Sequence, residues 1–151
     1  MNRHNVIDGY LLEEKIRFLI SLLPGVLYNI STDEGIKKHF NDTTLNGVDN
    51  YIQFRTFYIL IQDKWVARPA SQQQAAQFLN CVDKISEKIG NNVFLIWACR
   101  TPPSRNAIPD LNRKKVKIIC SDTSVDELAQ CVKDYVRELI NVQSYAMEID
   151  D

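Results

Sequence analysis

The stretch Phe57–Lys64 constrains this chain more than any other. Five large apolar residues, Phe57 to Ile61, are followed at once by Gln62, Asp63 and Lys64. A run so rich in aromatic and β-branched side chains reads as a strand. Just before it, Val48–Phe54 reads as a second strand, and only Arg55-Thr56 separates the two. So short a link permits an antiparallel hairpin and not a parallel crossover. The hairpin has an apolar body and a polar end, and a lysine set between that apolar run and Trp65-Val66 needs a reason to be there.

The flanking sequence predicts what covers this hairpin. Over residues 8–23, Leu12, Ile16, Leu19 and Leu23 recur at helical spacing, Asp8 stands as an N-cap, and Pro24-Gly25 stops the run. Val26–Ile30 is a short apolar strand, and Ser31–Glu34 opens a short helical turn that runs to Phe40. After the hairpin, Ser71 caps a helix to Ile89 whose stripe is Ala75, Phe78, Leu79, Val82, Ile85 and Ile89, with Gly90 as the stop. Val93–Cys99 is continuously apolar, as a central strand covered on both faces should be. Residues 101–112 hold three prolines and read as a loop, Lys115–Cys120 as another strand, and Ser124 as the cap of a last helix. The acidic tail from about residue 143 is expected to fray. Strands alternating with helices predict an α/β fold in which a central mixed sheet is flanked by helices on both faces. A length of 151 residues predicts one domain over 1–151.

Several function classes are disfavoured. No run of about 18 apolar residues is present, so no membrane span is expected, and the N-terminus lacks the pattern of a secretory leader. Cys81, Cys99, Cys120 and Cys131 form no C-x-x-C pair and read as small buried hydrophobes of an intracellular, reducing environment. His4 and His39 are far apart in polar surroundings and read as surface residues. Trp65, Trp97, Tyr28, Phe54 and Tyr58 read as core or sheet-face residues. There is no G-x-S-x-G elbow and no glycine-rich phosphate loop, which argues against serine-nucleophile chemistry and nucleotide hydrolysis.

The hairpin's polar end is where chemistry can gather. Asp49 begins the first strand, and Gln62-Asp63-Lys64 ends the second, thirteen residues later. Antiparallel pairing brings those two ends together. Side chains alternate across a strand, so Gln62 and Lys64 share one face and Asp63 takes the other. One carboxylate, one amide oxygen and one ammonium group are thereby placed at one spot. Phosphodiester hydrolysis needs a cation that neutralises charge and activates water, and Mg²⁺ prefers oxygen ligands. Asp49, the Gln62 side-chain oxygen and the Asp63 backbone carbonyl are the candidate ligands. Lys64 is placed to hold the attacking water and to stabilise charge growing on the phosphate.

The pattern Gly47-Val48-Asp49 followed by Gln62-Asp63-Lys64 resembles the PD-(D/E)xK, or restriction-endonuclease-like, superfamily, in its Mrr-like variant with glutamine in place of the second acid. The helix before the hairpin, and the helix and strand after it, fall in that family's order, so the resemblance spans about residues 8–140. It implies an α-β-β-β-α-β core followed by a further strand and helix. It implies a metal-dependent DNA endonuclease using Mg²⁺ or Mn²⁺, with Asp49 as metal ligand, Gln62 in the second acid's place and Lys64 as catalytic lysine. It also implies a glutamate from the first helix, for which Glu14 is preferred to its neighbour Glu13. Gln73 and Gln77 are expected to line the same cleft.

Charge distribution adds a candidate nucleic-acid surface. Residues 98–117 carry six basic side chains, among them Arg100, Arg105, Arg113, Lys114 and Lys115, against one acid, whereas residues 118–151 carry eight acids against two bases. The basic segment is suited to phosphates. DNA is the expected partner, with a homodimer, as many such domains form to cut two strands, or a protein partner that supplies specificity. Two alternatives stand beside this reading. One is a catalytically inactive domain of the same fold that binds nucleic acid or protein. The other is an unrelated α/β interaction domain, in which Asp49 would lie far from Lys64.

Overall fold

A computed structural model describes residues 3–150 of the backbone and the side chains of residues 7–144. The element order is α1 (Arg3–Ser21), β1 (Tyr28–Ser31), α2 (Asp33–Phe40), β2 (Asn50–Gln53), β3 (Tyr58–Lys64), α3 (Gln72–Ile89), β4 (Val93–Cys99), α4 (Ile108–Arg113), β5 (Lys117–Cys120) and α5 (Val125–Asp150). This is the expected α-β-β-β-α-β order with a further strand and helix. Most of the tail expected to fray lies beyond the described side chains.

The five strands form one mixed sheet in the order β1-β2-β3-β4-β5. β1 and β2 pair antiparallel, as do β2 and β3, with Asn50 opposite Ile61. β3, β4 and β5 run parallel, so each return needs a crossover, supplied by α3 and then by α4. Alternation along β3 divides the core in two. Ile59 and Ile61 join Leu12, Ile16 and Ile20 of α1 and Leu128, Val132 and Val136 of α5 on one face. Leu60 joins Ile36 of α2, Phe78, Val82 and Ile85 of α3 and Leu111 of α4 on the other. At roughly 2 kcal/mol per fully buried large aliphatic side chain, this two-sided burial is the main force holding the sheet. Both tryptophans are core, as expected, with Trp97 edge-on to Phe78.

Local differences have local causes. The segment read as a loop over 101–112 contains α4, since Pro109 falls in the first helical turn, where no N–H is needed. β5 begins at Lys117 and not Lys115, because Lys115 has φ 59, a left-handed conformation that no strand accommodates. Tyr28 is half exposed, at 52 %, and lies against His39 instead of entering the core. Cys81 and Cys99 are buried as expected and Cys131 is half-buried, but Cys120 is exposed. Among the described residues no helix is long and apolar enough to cross a membrane.

Candidate metal centre

The end of the sheet reached by the C-termini of β3, β4 and β5 also holds the start of β2, because β2 runs the other way. Crevices outside the carboxyl ends of parallel strands are favoured binding places. Asp49 is fixed there by its whole backbone. Its N–H donates to the Ile61 carbonyl at 2.8 Å, and its carbonyl accepts from the Thr32 N–H at 2.8 Å. Its side chain then turns to β3, where Oδ2 accepts from the Asp63 N–H at 3.0 Å. Gly47 makes the preceding turn possible. It has φ 121, and a Cβ there would stand 2.9 Å from the Gln77 carbonyl oxygen of α3.

The carboxylates that meet are those of Glu13, Asp49 and Asp63. One oxygen from each lies within 4.8 Å of the other two. Asp63 shares the α1 face of the sheet with Ile59 and Ile61, by alternation along β3. Glu13 arrives from α1, and its turn is held to the sheet by Asn50, whose Nδ2 donates to the Glu13 carbonyl at 3.2 Å. Buried polar atoms without a partner are concentrated here: Glu13 Oε2, Asn50 Oδ1 and both oxygens of Asp63. Such atoms each cost about 1–3 kcal/mol if nothing satisfies them, and more when charged.

Electrostatics shows the same unmet demand. Two unit charges about 4.8 Å apart repel by roughly 3–4 kcal/mol at an effective dielectric of about 20. Three such pairs, fully ionised, would rival the whole stability of a domain, about 5–15 kcal/mol. The cluster therefore takes up protons or a cation. Burial, then the charge of Asp49 and a hydrogen bond to it, pushes Glu13 up to about 8. Burial pushes Asp49 up to about 6, against the opposing pull of the Asp63 N–H and the Lys64 charge. Burial, then the charges of Asp49 and Glu13, holds Asp63 well above the usual carboxylate range. The donor set, all hard oxygen, fits Mg²⁺ or Mn²⁺ and suits no soft metal.

The structure distributes the expected site residues unevenly. Asp49 is in the cluster, and Lys64 is near enough for its charge to act on both Asp49 and Asp63. Asp63 contributes its side chain, where only its carbonyl was expected; that carbonyl accepts from Gln62 Nε2 at 3.4 Å. Gln62 itself is buried and, with Lys64, belongs to the α3 face. Glu14 is not gathered in. It is exposed, accepts from Ser31 Oγ at 2.7 Å and from Arg17 at 2.9 Å, and those bonds hold it below the usual range. Glu13, its neighbour, is the glutamate that reaches the centre. One position on an α-helix rotates a side chain by about 100°, and the periodicity of α1 left both glutamates at the margin of its apolar stripe. What the sequence reading missed was the side chain of Asp63, because two-residue alternation set it on the face away from Lys64.

The basic segment also divides. Arg100 follows β4 directly, its N–H bonded to the Lys64 carbonyl at 2.9 Å and its guanidinium 5.6 Å from the Trp65 ring centroid. Arg105 is exposed in the loop beyond. Arg113 pairs with Asp110 at 2.5 Å. Lys114 and Lys115 precede β5, whose first residue is opposite Ile96, three positions back from the end of β4, so they lie away from the acidic end. Gln73 and Gln77 line a polar groove of about 510 Å³ on α3 with Thr44, Asn46, Asn80 and Lys84, next to the turn at Gly47.

No family model matches this chain, and no curated protein matches it. Among solved structures, a repair endonuclease from Pyrococcus abyssi is similar over 47% of this chain and 30% of its own length, at 19% identity and a TM-score of 0.40.

Proposed function

We propose that this chain is a metal-dependent DNA endonuclease of the PD-(D/E)xK type, a single domain that hydrolyses phosphodiester bonds with Mg²⁺ or Mn²⁺ at Glu13, Asp49 and Asp63. One observation carries the reading: three carboxylates converge within 4.8 Å at the carboxyl end of the sheet, and the Asp63 oxygens among them are buried without partners. A divalent cation bound there supplies Lewis-acid chemistry to a phosphodiester. Glu13, Asp49 and Asp63 hold it, and Asn50 fixes the turn of α1 from which Glu13 projects. Lys64 orients the attacking water and stabilises charge growing on the phosphate. Arg100 and Arg105, beyond β4, take the neighbouring backbone phosphates.

The second reading is a domain of this fold that binds nucleic acid or a protein without cutting. Gln62 supports it, since an amide stands where the family has an acid and it is engaged with the Asp63 carbonyl. A cleavage assay with Mg²⁺ and with Mn²⁺ on supercoiled, linear, branched and single-stranded DNA separates the two. Cutting by the wild type that is lost in Asp63→Asn and Lys64→Ala establishes the nuclease. Metal-independent DNA binding without cutting, unchanged in Lys64→Ala, establishes the binding domain.

A further inference from the structure

Cys99 and Cys120 end β4 and β5 and stand directly opposite each other in the parallel register. Residues paired in this way point to the same face of a sheet. Neighbouring strands are about 4.8 Å apart, within the roughly 4.4–6.8 Å that Cα atoms span across a disulfide. Cys99 Sγ donates to the Ile119 carbonyl at 3.7 Å and Cys120 Sγ to the Arg100 carbonyl at 3.5 Å, so each thiol leans toward the other's strand. They differ in access: Cys99 is buried at 1% exposure, whereas Cys120 is open to solvent. Cys81 and Cys131 lie on helices α3 and α5.

We propose that Cys99 and Cys120 are a dithiol modification site, which a small disulfide such as oxidised glutathione converts to a bridge between β4 and β5. The Cys120 thiolate attacks one sulfur of the reagent, forms a mixed disulfide and expels one small thiolate. The Cys99 sulfur then attacks the Cys120 sulfur and expels the second. Two protons leave the protein thiols and end on the two released small thiols, and two electrons pass from the cysteine pair to the reagent. Burial, and then the charge of Cys120, pushes the Cys99 thiol up to about 12. The second cause lapses once Cys120 is in the mixed disulfide, which favours the closing step. The bridge forms one strand from Lys64, since Cys99 is the register partner of Lys64. This site does not depend on the nuclease reading.

The test is oxidation of the full chain by oxidised glutathione, followed by intact mass and peptide mapping. The expected result is loss of two free thiols per chain, a Cys99–Cys120 linked peptide, and full reversal by dithiothreitol. Cys99→Ser should stop at one glutathione on Cys120, and Cys120→Ser should keep all its thiols. A wild type that stops at the single adduct, links Cys81 or Cys131 instead, or retains all four thiols would overturn the proposal.

Discussion

The Asp63 N–H donates to Asp49 Oδ2 at 3.0 Å, so the carboxylate just before β2 clamps the backbone of β3, the strand that carries the other. The two side chains are thereby held within 4.8 Å of a third, Glu13, although like charges favour their separation.

Asp63→Asn removes the charge from two of the three like-charge pairs and keeps the shape. Without metal at pH 9, its melting temperature should exceed that of the wild type by at least about 3 °C, since 1 kcal/mol moves a domain of this size by about 2–4 °C. Mg²⁺ or Mn²⁺ should raise the melting temperature of the wild type, and the same variant should lose that rise. A variant that melts lower than the wild type and still responds to metal would contradict the electrostatic account.

The pH dependence of metal-free stability has a defined sign. Glu13 rises from 4.5 to about 8 on folding, and Asp49 from 3.8 to about 6. Raised acids favour the folded state in their protonated form, so their contribution is full below the unfolded values and is lost as pH climbs through 6 and then 8. In EDTA, stability should therefore fall from about pH 4 to about pH 8, with the Asp49 share gone by about pH 6. Glu13→Gln should flatten the upper part of that fall. At pH 7, metal binding must displace a proton from Glu13, so calorimetry in buffers of different ionisation enthalpy should register proton release.

Glu13 and Glu14 are adjacent in sequence and differ in placement. Glu13→Gln should weaken metal binding by at least about tenfold, an effect of about 1.4 kcal/mol. Glu14→Gln, which disturbs only exposed bonds to Arg17 and Ser31, should leave metal affinity unchanged. Titration of both variants with Mn²⁺ decides between them.

Gly47→Ala places a Cβ 2.9 Å from the Gln77 carbonyl in a turn with φ 121. Backbone strain of this kind costs about 1–3 kcal/mol, and the steric contact adds to it. Urea denaturation should show a lower midpoint with an unchanged slope. Because the turn delivers Asp49, metal affinity should fall with it.

Arg100→Ala and Arg105→Ala should weaken DNA binding and each reduce the salt slope of the binding constant by about 1. Lys114→Ala and Lys115→Ala, away from the acidic end, should leave both nearly unchanged. Equal effects at all four positions would place the DNA across the far side of α4 instead.

Much of the fold was legible in the sequence. The unbroken apolar runs of β3 and β4 and the helical stripe of α3 report burial directly, because burial requires apolar side chains at the period of the element. The Asp49–Lys64 hairpin followed from the two-residue link between its strands. The short α4 was hidden by its prolines, which break helices everywhere except in the first turn. Cys120 was expected to be buried on residue type alone, but it ends β5, the strand at the edge of the sheet, and is exposed.

By itself, then, the sequence determined every element but α4, their order, the antiparallel hairpin and the candidacy of Asp49 and Lys64. Each of these follows from local periodicity and from chain length between breaks. Which glutamate of α1 reaches the sheet, and whether Asp63 joins Asp49 or turns away, was decided only by the tertiary structure. Both depend on the packing of α1 across β2 and β3, contacts between residues some 36 to 50 positions apart in the chain. A rotation of one helix by a single residue, invisible in composition and spacing, would have put Glu14 in that place.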